Sequence, residues 1–204
     1  MSKSLERKIC DVIEGKGPSG VFSCVAKSVL FIISVFFRFA SRMRRELYHR
    51  GVFRTLKASL PVISVGNIVA GGTGKTPCTL MLGKELLKHK RVAILSRGYR
   101  SEAEKMKEPL TLSLGSGVLH SAAVGGDEAW LLSKNLPSAL VYSGRSRIKA
   151  AEMAYDAGAE VGILDDGFQH WPLERDIDIV TVDAGNPCGF GYFLPRGYLR
   201  EPLS

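Results

Sequence analysis

Three closely spaced glycines followed by a lysine and a hydroxyl, Gly71-Gly72-Thr73-Gly74-Lys75-Thr76, form a hexapeptide suited to gripping phosphate. Glycines let backbone N–H groups approach an anion with no side chain in the way. Lys75 reaches the outer phosphates of a nucleotide and the Thr76 hydroxyl ligates Mg²⁺. An apolar run from Val62 leads into the loop, so the order is strand, phosphate loop, helix start. One position departs from the usual GxxxxGK[ST] pattern: Val69 stands where a glycine is expected.

Carboxylates supply the other half of this chemistry. Val161–Leu164 runs into Asp165-Asp166-Gly167. An acid at the end of an apolar strand holds Mg²⁺ directly or through water, although Asp there also serves as a turn former. Gly125-Gly126-Asp127-Glu128 places two more acids at an expected helix start. They read either as helix-capping residues or as a general base, Asp127, with Glu128 as a further metal ligand. Arg97 and Arg100 follow the strand Val92–Leu95, and Arg145 and Arg147 follow Leu140–Tyr142. Those are places for arginines that grip phosphate or stabilise transferring charge, with solvated surface arginines as the alternative. His170 follows the Asp-Asp turn, where it contacts substrate or simply packs.

The elements that must carry these residues are legible as a βα alternation. Strands are expected at 60–65, 92–95, 140–142, 161–164 and 177–182, and helices at 75–89, 127–135 and 146–158. The charged stretch 101–108 reads as a surface excursion. Continuous apolar strands separated by helices predict a mostly parallel sheet covered on both faces, with ligands gathered at the strands' carboxyl ends.

Upstream of the sheet, Ser28–Phe37 is almost wholly apolar. Ten residues are too few to cross a bilayer. A run of basic residues follows: Arg38, Arg42, Arg44, Arg45, Arg50, Arg54 and Lys57 stand against Glu46 alone, so most of the net charge of +8 lies here. Phenylalanines followed directly by arginines predict a helix peripheral to an anionic membrane surface, the other reading being a core helix with a basic end. Residues 21–57 are therefore expected to be helical and membrane-facing, with 15–20 a loop, and the chain divides at 57/58 into this segment and the α/β core. Nucleic-acid binding is not expected, because the basic block is fused to an apolar run and carries no nucleic-acid motif. The scattered Cys10, Cys24, Cys78 and Cys188 have no zinc spacing and fit a reducing compartment.

With these residues in place, the chain resembles the tetraacyldisaccharide 4′-kinase (lipid A 4′-kinase) family. The matching pieces are VGNIVAGGTGKTP, SRGYR, GGDEA, LDDGFQHWPLERD and LPRGYLREPLS, in that order. The resemblance implies a P-loop NTPase-like α/β core and a membrane-associated N-terminal helix. It implies transfer of the ATP γ-phosphate, with Mg²⁺, to the 4′-hydroxyl of a tetraacylated disaccharide 1-phosphate. It further implies phosphate and metal binding by Lys75 and Thr76, a metal role for Asp165 and Asp166, and a catalytic base at Asp127 beside Glu128. Arg97 and Tyr99 of SRGY are then expected to face the lipid substrate. Family members continue past REPLS into a C-terminal lobe, which this chain is expected to lack. The implied location is the cytoplasmic face of the inner membrane in a bacterium, or an organelle membrane such as the mitochondrial one in a eukaryote. The alternatives are a non-catalytic membrane-bound form and an ATPase switch of the MinD/ParA type. The latter's signature lysine falls at Ala70.

Overall fold

A computed structural model describes residues 10, 11, 13, 14, 16 and 21–202. The expected 15–20 loop lies outside the described residues apart from Lys16. The chain groups into two units. One comprises 51–67 and 74–181, and the other comprises 1–50, 68–73 and 182–204.

The first unit is the α/β core. Its strands are β1 (Val62–Asn67), β2 (Val92–Ser96), β3 (Leu110–Leu114), β4 (Leu140–Ser143), β5 (Val161–Asp165) and β6 (Ile177–Thr181). They form one sheet in the order β3-β4-β2-β5-β1-β6. All neighbours are parallel except β3, which runs antiparallel to β4 with a register shift between Thr111 and Ser113. The central strands are buried and mostly apolar because both faces are covered. Ala93, Leu95, Leu140, Tyr142 and Leu164 face a cluster with Ala150, Ala151 and Ala154 of the helix Arg147–Asp156. Val65, Ile94, Val141 and Ile163 face the opposite cluster, which includes Ala129 and Leu132 of the helix Asp127–Asn135 and Cys78, Leu80 and Leu82 of the helix Lys75–Leu86. β3 was not expected from the sequence. The order places β5 between β1 and β2, so the connection from β1 to β2 crosses over it. The carboxyl ends of β1, β2, β4 and β5 thereby open onto one edge of the sheet, where ligands bind in such folds.

The second unit is built around the helix α1 (Val21–His49). The helix expected to continue to residue 57 ends here because Gly51 adopts φ 71°, a left-handed residue that closes helices. Residues 51–57 group instead with the sheet. Within the unit, α1 meets the 190–201 segment through one stripe. The Phe31 and Tyr192 rings meet edge to face at 6.0 Å, Arg38 lies 5.8 Å over Phe193, and the Ser41 hydroxyl donates to the Arg200 carbonyl. A second stripe, Val25, Val29, Ile32, Phe36, Phe39 and Met43, repeats every three or four residues and is 50–71% exposed. Apolar residues thus face outward, the reverse of an ordinary surface helix. The apolar segment is also longer than the ten-residue run suggests. Ser23–His49 is long and apolar enough to cross a bilayer by length and composition, with only 6% of its apolar window buried.

Candidate functional site

The phosphate loop begins at a fixed point. Val69 is buried against Phe193 and Leu199, and the Ala70 N–H donates to the Tyr198 carbonyl at 2.7 Å. The residue that breaks the glycine pattern is therefore a packing anchor. Past it, Gly71 and Gly74 take φ values of 125° and 84°, which other residues rarely adopt. A Cβ at Gly71, Gly72 or Gly74 would meet no atom within 4 Å, so open space lies over all three.

The helix Lys75–Leu86, α2, starts after Gly74 with no side-chain cap. Its first residue directs the Lys75 Nζ to 3.7 Å from Asp166 Oδ1. One turn later, the buried Thr79 hydroxyl donates to Asp165 Oδ1 at 3.3 Å. The Lys75/Thr79 spacing of four residues puts both on one helix face. That spacing was the available sequence signal for Thr79, and the sequence reading missed it. Asp165 closes β5 and is only 2% exposed, and its Oδ2 has no hydrogen-bond partner among the described residues. Burial, then the nearby charges of Glu128 and Asp166, push its carboxyl up to about 7, against the opposing pull of Thr79 and Arg147. Asp166 turns the chain at φ 48°. Gly167 follows because a Cβ there would lie 2.4 Å from Leu164 Cγ.

Arg147 opens the helix after β4, which Ser146 caps. It is 6% exposed, with Nη1 3.4 Å from His170 Nδ1 and Nε unpartnered. Burial and the charge of Arg97 lower its guanidinium to about 10, opposed by Asp166, Asp165 and Glu104. The alternative of a solvated surface arginine therefore does not hold for Arg147, whereas Arg145 is exposed. Buried polar atoms are nearly always satisfied, and an orphaned carboxylate oxygen and an orphaned guanidinium nitrogen in one site fit a ligand carrying both cation and anion. Among the described residues no three His, Cys, Asp or Glu converge as a metal cage. An oxygen-donor set of one or two carboxylates and a hydroxyl suits Mg²⁺, which keeps waters and phosphate oxygens in its shell.

Asp127 is the first residue of its helix, with Gly126 (φ 95°) preceding it and no side-chain cap. Asp127 therefore does not cap the helix. It is exposed and lines a pocket of about 260 Å³ with Ser96, Gly98, Tyr99, Gly126, Glu128 and Ala129. SRGYR and GGDEA thus meet, and they meet closely: a Cβ on Gly126 would lie 3.0 Å from Gly98 Cα. The Ser143 hydroxyl fixes the junction by donating to the Gly125 carbonyl at 2.5 Å. All four cysteines are free.

The family model described as tetraacyldisaccharide-1-P 4′-kinase matches residues 26–204. A tetraacyldisaccharide 4′-kinase of Halothermothrix orenii is 43% identical over all of this chain and 53% of its own length. One from Anaeromyxobacter sp. (strain K) is 44% identical over 93% of this chain and 49% of its own length. The crystal structure of LpxK from Aquifex aeolicus in complex with ATP superposes with a TM-score of 0.79 at 40% identity, covering 87% of this chain and 55% of that one. The chain spans about half the length of the curated relatives it matches. With its P-loop core and its motifs in the same order, the chain belongs to the tetraacyldisaccharide-1-P 4′-kinase family.

Proposed function

We propose that this chain binds Mg·ATP and transfers the γ-phosphate to the 4′-hydroxyl of a tetraacyldisaccharide 1-phosphate at an anionic membrane surface. The observation that carries the reading is the Lys75–Asp166 pair beside a buried Asp165 with one unpartnered oxygen.

Backbone N–H groups of Gly71–Thr76 and the ammonium of Lys75 hold the β- and γ-phosphates at the amino end of α2. Thr76, Asp165, Asp166 and Glu128 are the residues to hold Mg²⁺, with Thr79 fixing the Asp165 carboxylate. Bound there, Mg²⁺ neutralises charge on the phosphate oxygens. Asp127, at the pocket wall shared with Tyr99, accepts the proton of the attacking hydroxyl. Arg147 with His170 and exposed Arg145 supply positive charge toward the phosphates, and Arg97 and Tyr99 face the acceptor. The outward apolar stripe of α1 and the arginines after it seat the chain on lipid. The named relatives are bacterial, which favours the cytoplasmic face of an inner membrane and lends nothing to a mitochondrial location.

The test is transfer of label from γ-labelled ATP to tetraacyldisaccharide 1-phosphate in mixed micelles. The expected outcome is transfer by the chain, and none by Asp127→Ala or Lys75→Ala. Transfer at the parent rate by either variant overturns these roles. A second reading is a non-catalytic membrane-bound form, for which the exposed apolar stripe of α1 speaks. It predicts lipid binding with no transfer. A MinD/ParA-type switch predicts nucleotide-dependent dimerisation without lipid phosphorylation, and Ala70 counts against it.

A further inference from the structure

The charged stretch after SRGYR contains a residue whose contacts reach toward the acceptor pocket. Ala103–Lys105 forms a single 3₁₀ turn, anchored by the buried Ser101 and Ala103. The Ser101 hydroxyl donates to the Gly98 carbonyl at 2.6 Å, and the Glu102 N–H donates to the Ala123 carbonyl at 3.4 Å, just before GGDEA. The turn is therefore fastened to both motifs that line the Asp127 pocket.

From this turn the Glu104 carboxylate makes two contacts with the SRGYR loop. Oε1 lies 2.8 Å from Arg97 Nε, and Oε2 accepts the Arg100 N–H at 2.8 Å. Arg100 sits at φ 59°, a left-handed conformation that a residue with a side chain seldom adopts without support. Its two neighbours in the loop complete the picture. The guanidiniums of Arg97 and Arg100 lie 5.9 Å and 5.1 Å from the Tyr99 ring centre, within cation–π range. Tyr99 itself is exposed and forms part of the pocket wall with Asp127.

Resting on the kinase reading above, we propose that Glu104 is a positioning residue for the acceptor. It fixes the left-handed turn at Arg100 and the direction of Arg97, so that an aromatic face flanked by two guanidiniums stands ready beside the catalytic acid. Such a platform suits a sugar ring bearing an anionic group. The ring stacks on Tyr99 and the phosphate pairs with the arginines. Glu104 contacts neither Lys75 nor the Asp165-Asp166 turn, so its direct contacts fall on the acceptor side of the site.

The test measures equilibrium binding of tetraacyldisaccharide 1-phosphate in detergent micelles, and of a fluorescent ATP analogue with Mg²⁺, for the parent chain, Glu104→Ala and Glu104→Gln. Loss of a charged hydrogen-bonding partner predicts an acceptor Kd raised about tenfold in Glu104→Ala. Glu104→Gln keeps an acceptor for the Arg100 N–H and is expected to fall between the two. Nucleotide Kd is expected to change by far less than the acceptor Kd in both variants. An unchanged acceptor Kd in Glu104→Ala overturns the proposal, as does equal weakening of both ligands, which marks a merely structural role. A parent chain that binds the nucleotide but not the acceptor overturns the kinase reading and this proposal with it. Acceptor binding by the parent with no response to Glu104→Ala overturns this proposal alone.

Discussion

The Lys75 ammonium lies 3.7 Å from Asp166 Oδ1, joining the first residue of α2 to the residue that follows β5. The two ends of the proposed Mg·ATP site are thus held together by one largely buried lysine. Removing such a charge partner costs about 2–5 kcal/mol, so Lys75→Ala is expected to weaken Mg·ATP binding by at least roughly 30-fold. Titration with a fluorescent ATP analogue measures this directly. A change of less than about threefold would rule out Lys75 as a phosphate ligand.

Gly66 and Gly72 flank the loop entrance and separate packing from ligand binding. A Cβ on Gly66 would lie 2.5 Å from Phe168 Cβ and 2.8 Å from the Phe168 backbone nitrogen, whereas one on Gly72 meets nothing within 4 Å. Gly66→Ala is expected to lower stability by about 1–3 kcal/mol through overpacking. Gly72→Ala is expected to leave stability within about 0.5 kcal/mol while weakening nucleotide binding. Urea midpoints for the two variants, compared with nucleotide titrations, check the separation.

Glu201 gives a pH signature. Burial raises its carboxyl above the ordinary value of 4.5, although the Ser41 hydroxyl and the charges of Arg45, Arg44 and Arg200 pull the other way. A raised folded-state pKa means that the folded chain holds the proton longer than the unfolded chain. Its contribution to stability is complete below the ordinary carboxylate value and is lost as pH rises through the folded pKa. Glu201→Gln is therefore expected to lose stability less steeply than the parent as pH rises above the ordinary carboxylate value toward neutrality. Denaturation midpoints across that range supply the comparison, and parallel curves would refute it.

Replacing Arg42, Arg44 and Arg45 together with Gln addresses membrane contact. At about 1 kcal/mol per basic residue near an anionic surface, vesicle binding is expected to fall by roughly 100-fold. Parent binding is expected to weaken as salt rises. Flotation with anionic and with zwitterionic vesicles reads both effects. Retention through high salt would show that apolar insertion of α1, and not its arginines, carries the binding.

The core was legible where apolar runs were continuous, because a strand buried on both faces announces itself in composition. β3 escaped because Leu110–Leu114 alternates and pairs antiparallel at an edge. The length of α1 was misjudged at both levels: Gly51 stops it early, while its apolar stripe runs beyond the Ser28–Phe37 block. At the candidate site, the order of motifs suggested Lys75 near Asp165 and Asp166, with a turn-forming role for the acids left open. The burial of Arg147 could not be read, because it depends on which strand ends converge. Glu104 looked like part of a solvated charge run, and only the turn that carries it reveals its contacts. Val69 looked like a defect in a motif until its packing partners, far along the chain, were known.

The outward stripe of α1 also governs how the chain behaves in a tube. Six large apolar side chains along one line of a 29-residue helix give water nothing to solvate. In plain buffer, the cheapest way to cover that line is against another copy of itself. Apparent mass, light scattering and yield are then expected to depend on whether detergent or lipid is present at lysis, before any question of catalysis is asked.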